Sequence, residues 1–178
     1  MANGIVSNTG HDLWVVDLAS GTPTRLTFGG LNDRPIWTPD GREIVYQGEA
    51  YGRDGLDKLP ADGSGQPALL LAGTGLRPTS FTPDGKTLLF TQTSTSGKRV
   101  RVLPLVAPAG AGGPHPLRES AGSDDEAEVS PDGKWVALAS RESGRSEVYV
   151  LPFPGPGPKT QISTETGNRP RSLGSEWS

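Results

Sequence analysis

Arginine recurs beside proline at three points, in Asp33-Arg34-Pro35, Leu76-Arg77-Pro78 and Asn168-Arg169-Pro170. A guanidinium grips carboxylates and phosphates through two parallel hydrogen bonds. If Arg34, Arg77 and Arg169 converge, they form a rim for an acidic group or peptide, with Tyr51 beside them. The competing reading is that Arg-Pro opens a strand and each arginine pairs with a neighbouring acid; both stay open at this level. One acidic stretch, Asp124-Asp125-Glu126, stands where the other units carry Arg-Pro. It lacks the spaced oxygen ligands and glycine of a calcium loop, so a solvated loop is expected and no metal. His11 and His115 fall in predicted loops on opposite faces, which argues against a shared catalytic role. No Gly-x-Ser-x-Gly elbow and no glycine-rich phosphate loop is present. The expectation is a chain without catalytic residues or cofactor.

Candidate residues need a frame, and three copies of one tripeptide supply it: Pro39-Asp40-Gly41, Pro83-Asp84-Gly85 and Pro131-Asp132-Gly133. Pro presets φ for a turn corner, Asp bonds its own backbone, and Gly takes the positive φ of the exit. The three aspartates are therefore read as turn formers rather than a shared site. A hydroxyl precedes each Pro (Thr38, Thr82, Ser130), and a cation follows each Gly (Arg42, Lys86, Lys134). Apolar runs come next, at 44–46, 88–90 and 136–138. A period in the forties with strand-type residues indicates a β-propeller with one four-stranded blade per repeat.

On this frame the blades span about 31–74, 75–122 and 123–166, and a composite blade joins 1–30 to 167–178. Trp37, Phe81 and Val129 are expected at equivalent buried positions on first strands, with Ile44, Leu88 and Val136 on second strands. Pro104 and Pro152 suggest that third strands lie toward sheet edges. Fourth-to-first connections share a face with second-to-third loops, and the arginines and Asp124-Asp125 gather there. The opposite face, with the Pro-Asp-Gly turns and third-to-fourth loops, reads as bland.

Composition agrees with a turn-rich all-β chain: 25 Gly and 17 Pro in 178 residues. A net charge of −3 argues against generic nucleic-acid binding. No apolar stretch reaches membrane-spanning length, and the first twenty residues carry no secretion-signal pattern. Cysteine is absent, which excludes disulfides and suits either redox setting; a periplasmic or extracellular location within a longer protein stays open.

The hydroxyl-Pro-Asp-Gly-cation pattern, followed by an apolar strand and then a strand ending in Asp-Leu or Leu-Pro, resembles the repeats of the TolB-like (WD40-like) β-propeller family. The resemblance covers the chain to about Arg171. It implies an all-β propeller of about four blades, complete or partial, that acts as a bacterial binding or scaffold module for a protein or peptide. Similar repeats form the gating propellers of prolyl-oligopeptidase-type serine peptidases, so a fragment of such an enzyme, without its catalytic domain, is the alternative. Propellers of this family usually have six blades. Four leave room for a homodimer by edge-to-edge pairing.

Overall fold

The computed structural model describes residues 2–7, 10–50, 52–106, 112–120 and 122–163, and every regular element among them is a β-strand. Two compact units divide the chain, 1–78 and 79–178. The first holds a three-stranded sheet, β1 (Ala2–Ser7), β2 (Gly10–Val16) and β3 (Pro23–Arg25), paired in that order. It also holds a four-stranded meander of β4 (Asp33–Trp37), β5 (Glu43–Ala50), β6 (Arg53–Pro60) and β7 (Ala68–Ala72). A third sheet runs β8 (Leu76–Phe81), β9 (Thr87–Ser94), β10 (Gly97–Pro104) and β11 (His115–Pro116), with the unit boundary inside β8. The fourth sheet comprises β12 (Asp124–Val129), β13 (Trp135–Ser140), β14 (Glu147–Pro152) and β15 (Thr160–Gln161). Antiparallel order with each strand beside its sequence neighbour is the blade pattern that the repeat implies.

The Pro-Asp-Gly turn is built the same way three times. The hydroxyls of Thr38, Thr82 and Ser130 donate to Oδ1 of Asp40, Asp84 and Asp132 at 2.7, 2.7 and 2.6 Å. The same Oδ1 atoms accept from the N–H of Arg42, Lys86 and Lys134 at 3.1, 3.1 and 3.0 Å. These bonds, the hydroxyl first, hold all three carboxyls below their ordinary pKa. Gly41, Gly85 and Gly133 have φ of 70°, 70° and 72°, in the region that only glycine enters without penalty. Each aspartate thus has a structural task, as its sequence context implied.

Apolar side chains alternate inward and form a core within each unit. In the first, Leu13, Leu26, Ile44, Tyr46 and Leu59 pack together. In the second, the corresponding cluster includes Leu89, Val100, Val129, Val136, Leu138 and Tyr149. Ile44, Leu88 and Val136 are wholly buried, as the repeat predicts. Trp37 and Phe81 differ from expectation, because both are only half-buried while Val129 at the equivalent place is buried. Trp37 still packs against the core of the first unit from its place at the end of β4.

One further expectation is corrected. The third strands β6, β10 and β14 are interior strands. Each ends on proline (Pro60, Pro104, Pro152), where the missing N–H is not needed. The ladder resumes at the next residue: Ala61, Leu105 and Phe153 donate to the carbonyls of Arg42, Lys86 and Lys134 at 2.9, 2.8 and 2.8 Å. The fourth strands take one edge of each four-stranded sheet, and two of them, β11 and β15, have only two residues each, which limits the unpaired backbone they offer. The composite blade that was to use 167–178 lies outside the described residues.

Candidate functional site

The connection from β3 to β4, residues 26–32, carries Leu26-Thr27-Phe28-Gly29-Gly30-Leu31-Asn32. Its ends are buried and its middle is not. Leu26, Thr27 and Asn32 are 5%, 4% and 6% exposed, whereas Phe28 and Leu31 are 79% and 59% exposed. A loop that shows two large apolar side chains to water ordinarily collapses or moves, yet this one is tied down at nearly every residue.

Asp12 on β2 is the central tether. Its Oδ1 accepts from the Gly29 N–H at 2.8 Å and from the Thr27 hydroxyl at 3.2 Å, and its Oδ2 binds Arg25 Nη2 at 2.5 Å. Burial pushes the Asp12 carboxyl up, but the Gly29 N–H, the Arg25 guanidinium and the Thr27 hydroxyl outweigh it, so its pKa lies below the ordinary value. Asn32 secures the far end: its side-chain amide donates to the carbonyls of His11 and Gly29, both at 2.9 Å. Backbone bonds from His11 N–H to Gly30 and from Asn32 N–H to His11, each 3.2 Å, complete the clasp. Gly29 and Gly30 take φ of 99° and 82°, so the chain can double back here and lift the intervening side chains outward.

Arg25 serves two functions in this clasp. While its Nη2 holds Asp12, its guanidinium carbon lies 4.9 Å from the Phe28 ring centre and 5.9 Å from that of Trp14. Both distances are within cation–π range. Phe28 is therefore oriented without being buried. A cation–π contact restrains an exposed ring and so lowers the freedom it loses on docking, and aromatics with arginine are the residues enriched at the centres of protein interfaces.

The residues singled out by sequence separate into distinct environments. Arg34 lies on β4, directly after this loop, with φ of 55° and Nε 3.8 Å from Asp33. Glu126 on β12 has φ of 51°, and in both places the preceding aspartate, Asp33 or Asp125, accepts the strained residue's N–H at 2.8 or 3.0 Å. Pairing slips at both points, between Asp33 and Ile36 and between Asp125 and Glu128. This is the same bulge in two blades. Arg77 is not the counterpart of Arg34. Counted back from the turn proline it matches Asp33, and Pro78 stands at the Arg34 place, where its ring forbids positive φ. Arg77 is half-buried on β8. Tyr51 and Arg169 lie outside the described residues.

The acidic lead-in is neutralised within its own unit. Asp124 is 2% exposed and pairs with Arg118 at 3.0 Å, and Asp125 pairs with Lys98. Arg118 also reaches Glu142 at 3.1 Å, and Lys159 reaches Glu142 at 2.5 Å while lying over the Tyr149 ring. The Lys159 and Arg118 bonds hold Glu142 below its ordinary pKa. Among the described residues no cluster of three or more His, Cys, Asp or Glu could hold a metal. Phe28 carries no charge and sits in no motif, so the sequence does not single it out. The available signal was an aromatic and a leucine flanking Gly-Gly at a predicted fourth-to-first connection.

Comparison with known proteins places this architecture. TolB of Acinetobacter baumannii superposes with a TM-score of 0.72 at 24% identity, over 86% of this chain and 37% of that one. A candidate TolB of Agrobacterium tumefaciens gives 0.75 at 19% identity, over 92% and 58%. The fold is a TolB-like β-propeller. A puromycin-hydrolysing peptidase of Mycobacterium tuberculosis is also similar, with a TM-score of 0.66 at 18% identity over 92% of this chain and 29% of that one. In sequence, an uncharacterised protein of Agrobacterium fabrum is 41% identical over 54 residues, which is 30% of this chain and 18% of that protein. No protein-family model matches the chain. The chain thus spans less than two thirds of each of these proteins.

Proposed function

We propose that the chain is a non-catalytic binding module that presents the 26–32 loop to a protein partner. The observation that carries this reading is Phe28, 79% exposed yet held by Arg25 on a loop clasped by Asp12 and Asn32. The partner it fits offers an apolar pocket for Phe28 and Leu31. Arg34, two residues beyond Asn32, is proposed as the cationic neighbour of that contact. TolB among the similar folds agrees with a protein-binding role. The rival, a gating propeller from a prolyl-oligopeptidase-type peptidase, draws support from the likeness to the peptidase fold, and a hydrolase domain in the same reading frame would favour it.

The test places a photo-crosslinking amino acid at position 28 in the native host, with Asp40 as a control position on the turn. A discrete adduct from position 28 that is absent from position 40 supports the proposal. Absence of an adduct at 28, or the same pattern from both positions, refutes it.

A further inference from the structure

The second unit contains a groove of about 600 Å³ between its two sheets, on the side that carries the Pro-Asp-Gly turns and third-to-fourth loops. By sequence alone that side is bland. Its floor is apolar, with Val102, Leu117, Leu151 and Phe153, and its volume is in the range of ligand sites. Turn packing shapes one wall: a Cβ on Gly133 would lie 3.4 Å from Pro83 Cδ, so the two turns approach closely.

The groove is poor in backbone hydrogen-bond donors. Five of its lining residues are prolines (83, 104, 116, 152 and 154), which have no N–H. Four other lining amides are already engaged. Leu117 donates to Val100, Phe153 to Lys134, Gly133 to Ser130 and Thr87 to the Thr82 hydroxyl. Acceptors are available, however. Asp84 and Asp132 line the groove, and each commits Oδ1 to its turn. Each Oδ2 has only a loose approach from the adjacent lysine, 3.5 Å for Lys86 and 3.8 Å for Lys134, both lysines well exposed. An occupant that brings donors and positive charge to the rim, displacing the exposed lysines, and apolar groups to the floor matches this lining.

We propose that this groove binds an extended peptide segment in which lysine or arginine alternates with apolar residues, with Asp84 and Asp132 taking the cations. The site is separate from the Phe28 loop and goes beyond the function proposed for it. The probe is acetyl-Leu-Arg-Leu-Arg-Leu-amide, titrated against the whole chain by NMR, with the Leu-Glu-Leu-Glu-Leu counterpart as control. The arginine peptide should shift Leu117 and Phe153, and its affinity should fall as salt rises. Asp84→Asn with Asp132→Asn keeps an acceptor for each turn and should weaken it at least about tenfold. Asp40→Asn, the same turn in the first unit, should leave it unchanged, as should Phe28→Ser. Equal binding of the glutamate peptide overturns the proposal, as does salt-independent binding or the absence of shifts with the arginine peptide. Loss of binding in Phe28→Ser but not in the aspartate variants would instead place the peptide on the 26–32 loop.

Discussion

Removing the Asp12 carboxylate tests whether the exposed loop is held in place as described. Asp12→Ala deletes three bonds at once, to Gly29, Thr27 and Arg25, from a side chain that is 6% exposed. Breaking a fully buried charge pair costs about 3–5 kcal/mol, largely through the stranded partner. Arg25 is 39% exposed and can rehydrate, so that upper range does not apply. Gly29 is exposed and its N–H regains water, whereas buried Thr27 regains less. Together these considerations give about 2–3 kcal/mol. Asp12→Asn retains an acceptor for Gly29 and Thr27 and loses mainly the charge, for about 1 kcal/mol. Urea unfolding reads both numbers, provided the slope stays constant. The pH dependence adds an independent check. The folded pKa of Asp12 is depressed, so its contribution is complete above the unfolded value of about 3.9 and is lost as pH falls through the lower folded value. The gap between wild type and Asp12→Asn should therefore be constant from pH 7 to 5 and shrink below about pH 4. A loss under about 0.5 kcal/mol for Asp12→Ala, or a gap that widens in acid, would refute the tether.

Three further outcomes follow from the repeat. Thr82, buried at 8% and bonded to Asp84, Thr87 N–H and Thr87 carbonyl, should lose about 1–2 kcal/mol as Thr82→Ala by thermal or urea unfolding, with a smaller loss for half-buried Ser130→Ala. A Cβ at Gly48 would sit 2.5 Å from Asp57 Oδ2 and 2.7 Å from the Tyr46 ring; Gly48→Ala should therefore destabilise by at least about 1–3 kcal/mol, and a neutral result would deny that packing. At the bulge, Arg34→Gly should be close to neutral while Arg34→Val should cost about 1–3 kcal/mol, because a β-branched residue resists positive φ.

The blade frame could be read from the chain because the turn chemistry is local. The tetrapeptide Thr/Ser-Pro-Asp-Gly carries its own donors and acceptors, so Asp40, Asp84 and Asp132 repeat the same geometry whatever packs around them. Ile44, Leu88 and Val136 follow at a fixed distance from the turn and are buried by strand alternation alone. The first strands were harder, since bulges at Arg34 and Glu126 break that alternation and a one-residue offset changes a side chain's face. For the same reason Arg34 and Arg77 looked equivalent beside their prolines and are not. The clasp around Phe28 joins Asp12 to Thr27 and Gly29 and His11 to Asn32. These are pairings across a hairpin that no local motif announces. The groove at Asp84 and Asp132 likewise exists only because two turns from different blades meet.

The central claim is that Phe28 and Leu31 serve a partner rather than the fold. Its most direct test is the affinity of the crosslinked partner, once purified, for wild type and for Phe28→Ser with Leu31→Ser, measured alongside the melting temperature of each. Both side chains are mainly in solvent, so the account predicts an unchanged melting temperature and affinity weaker by about 30-fold or more, the mark of interface anchors. Unchanged affinity, or a loss of affinity matched by a loss of stability, would contradict it.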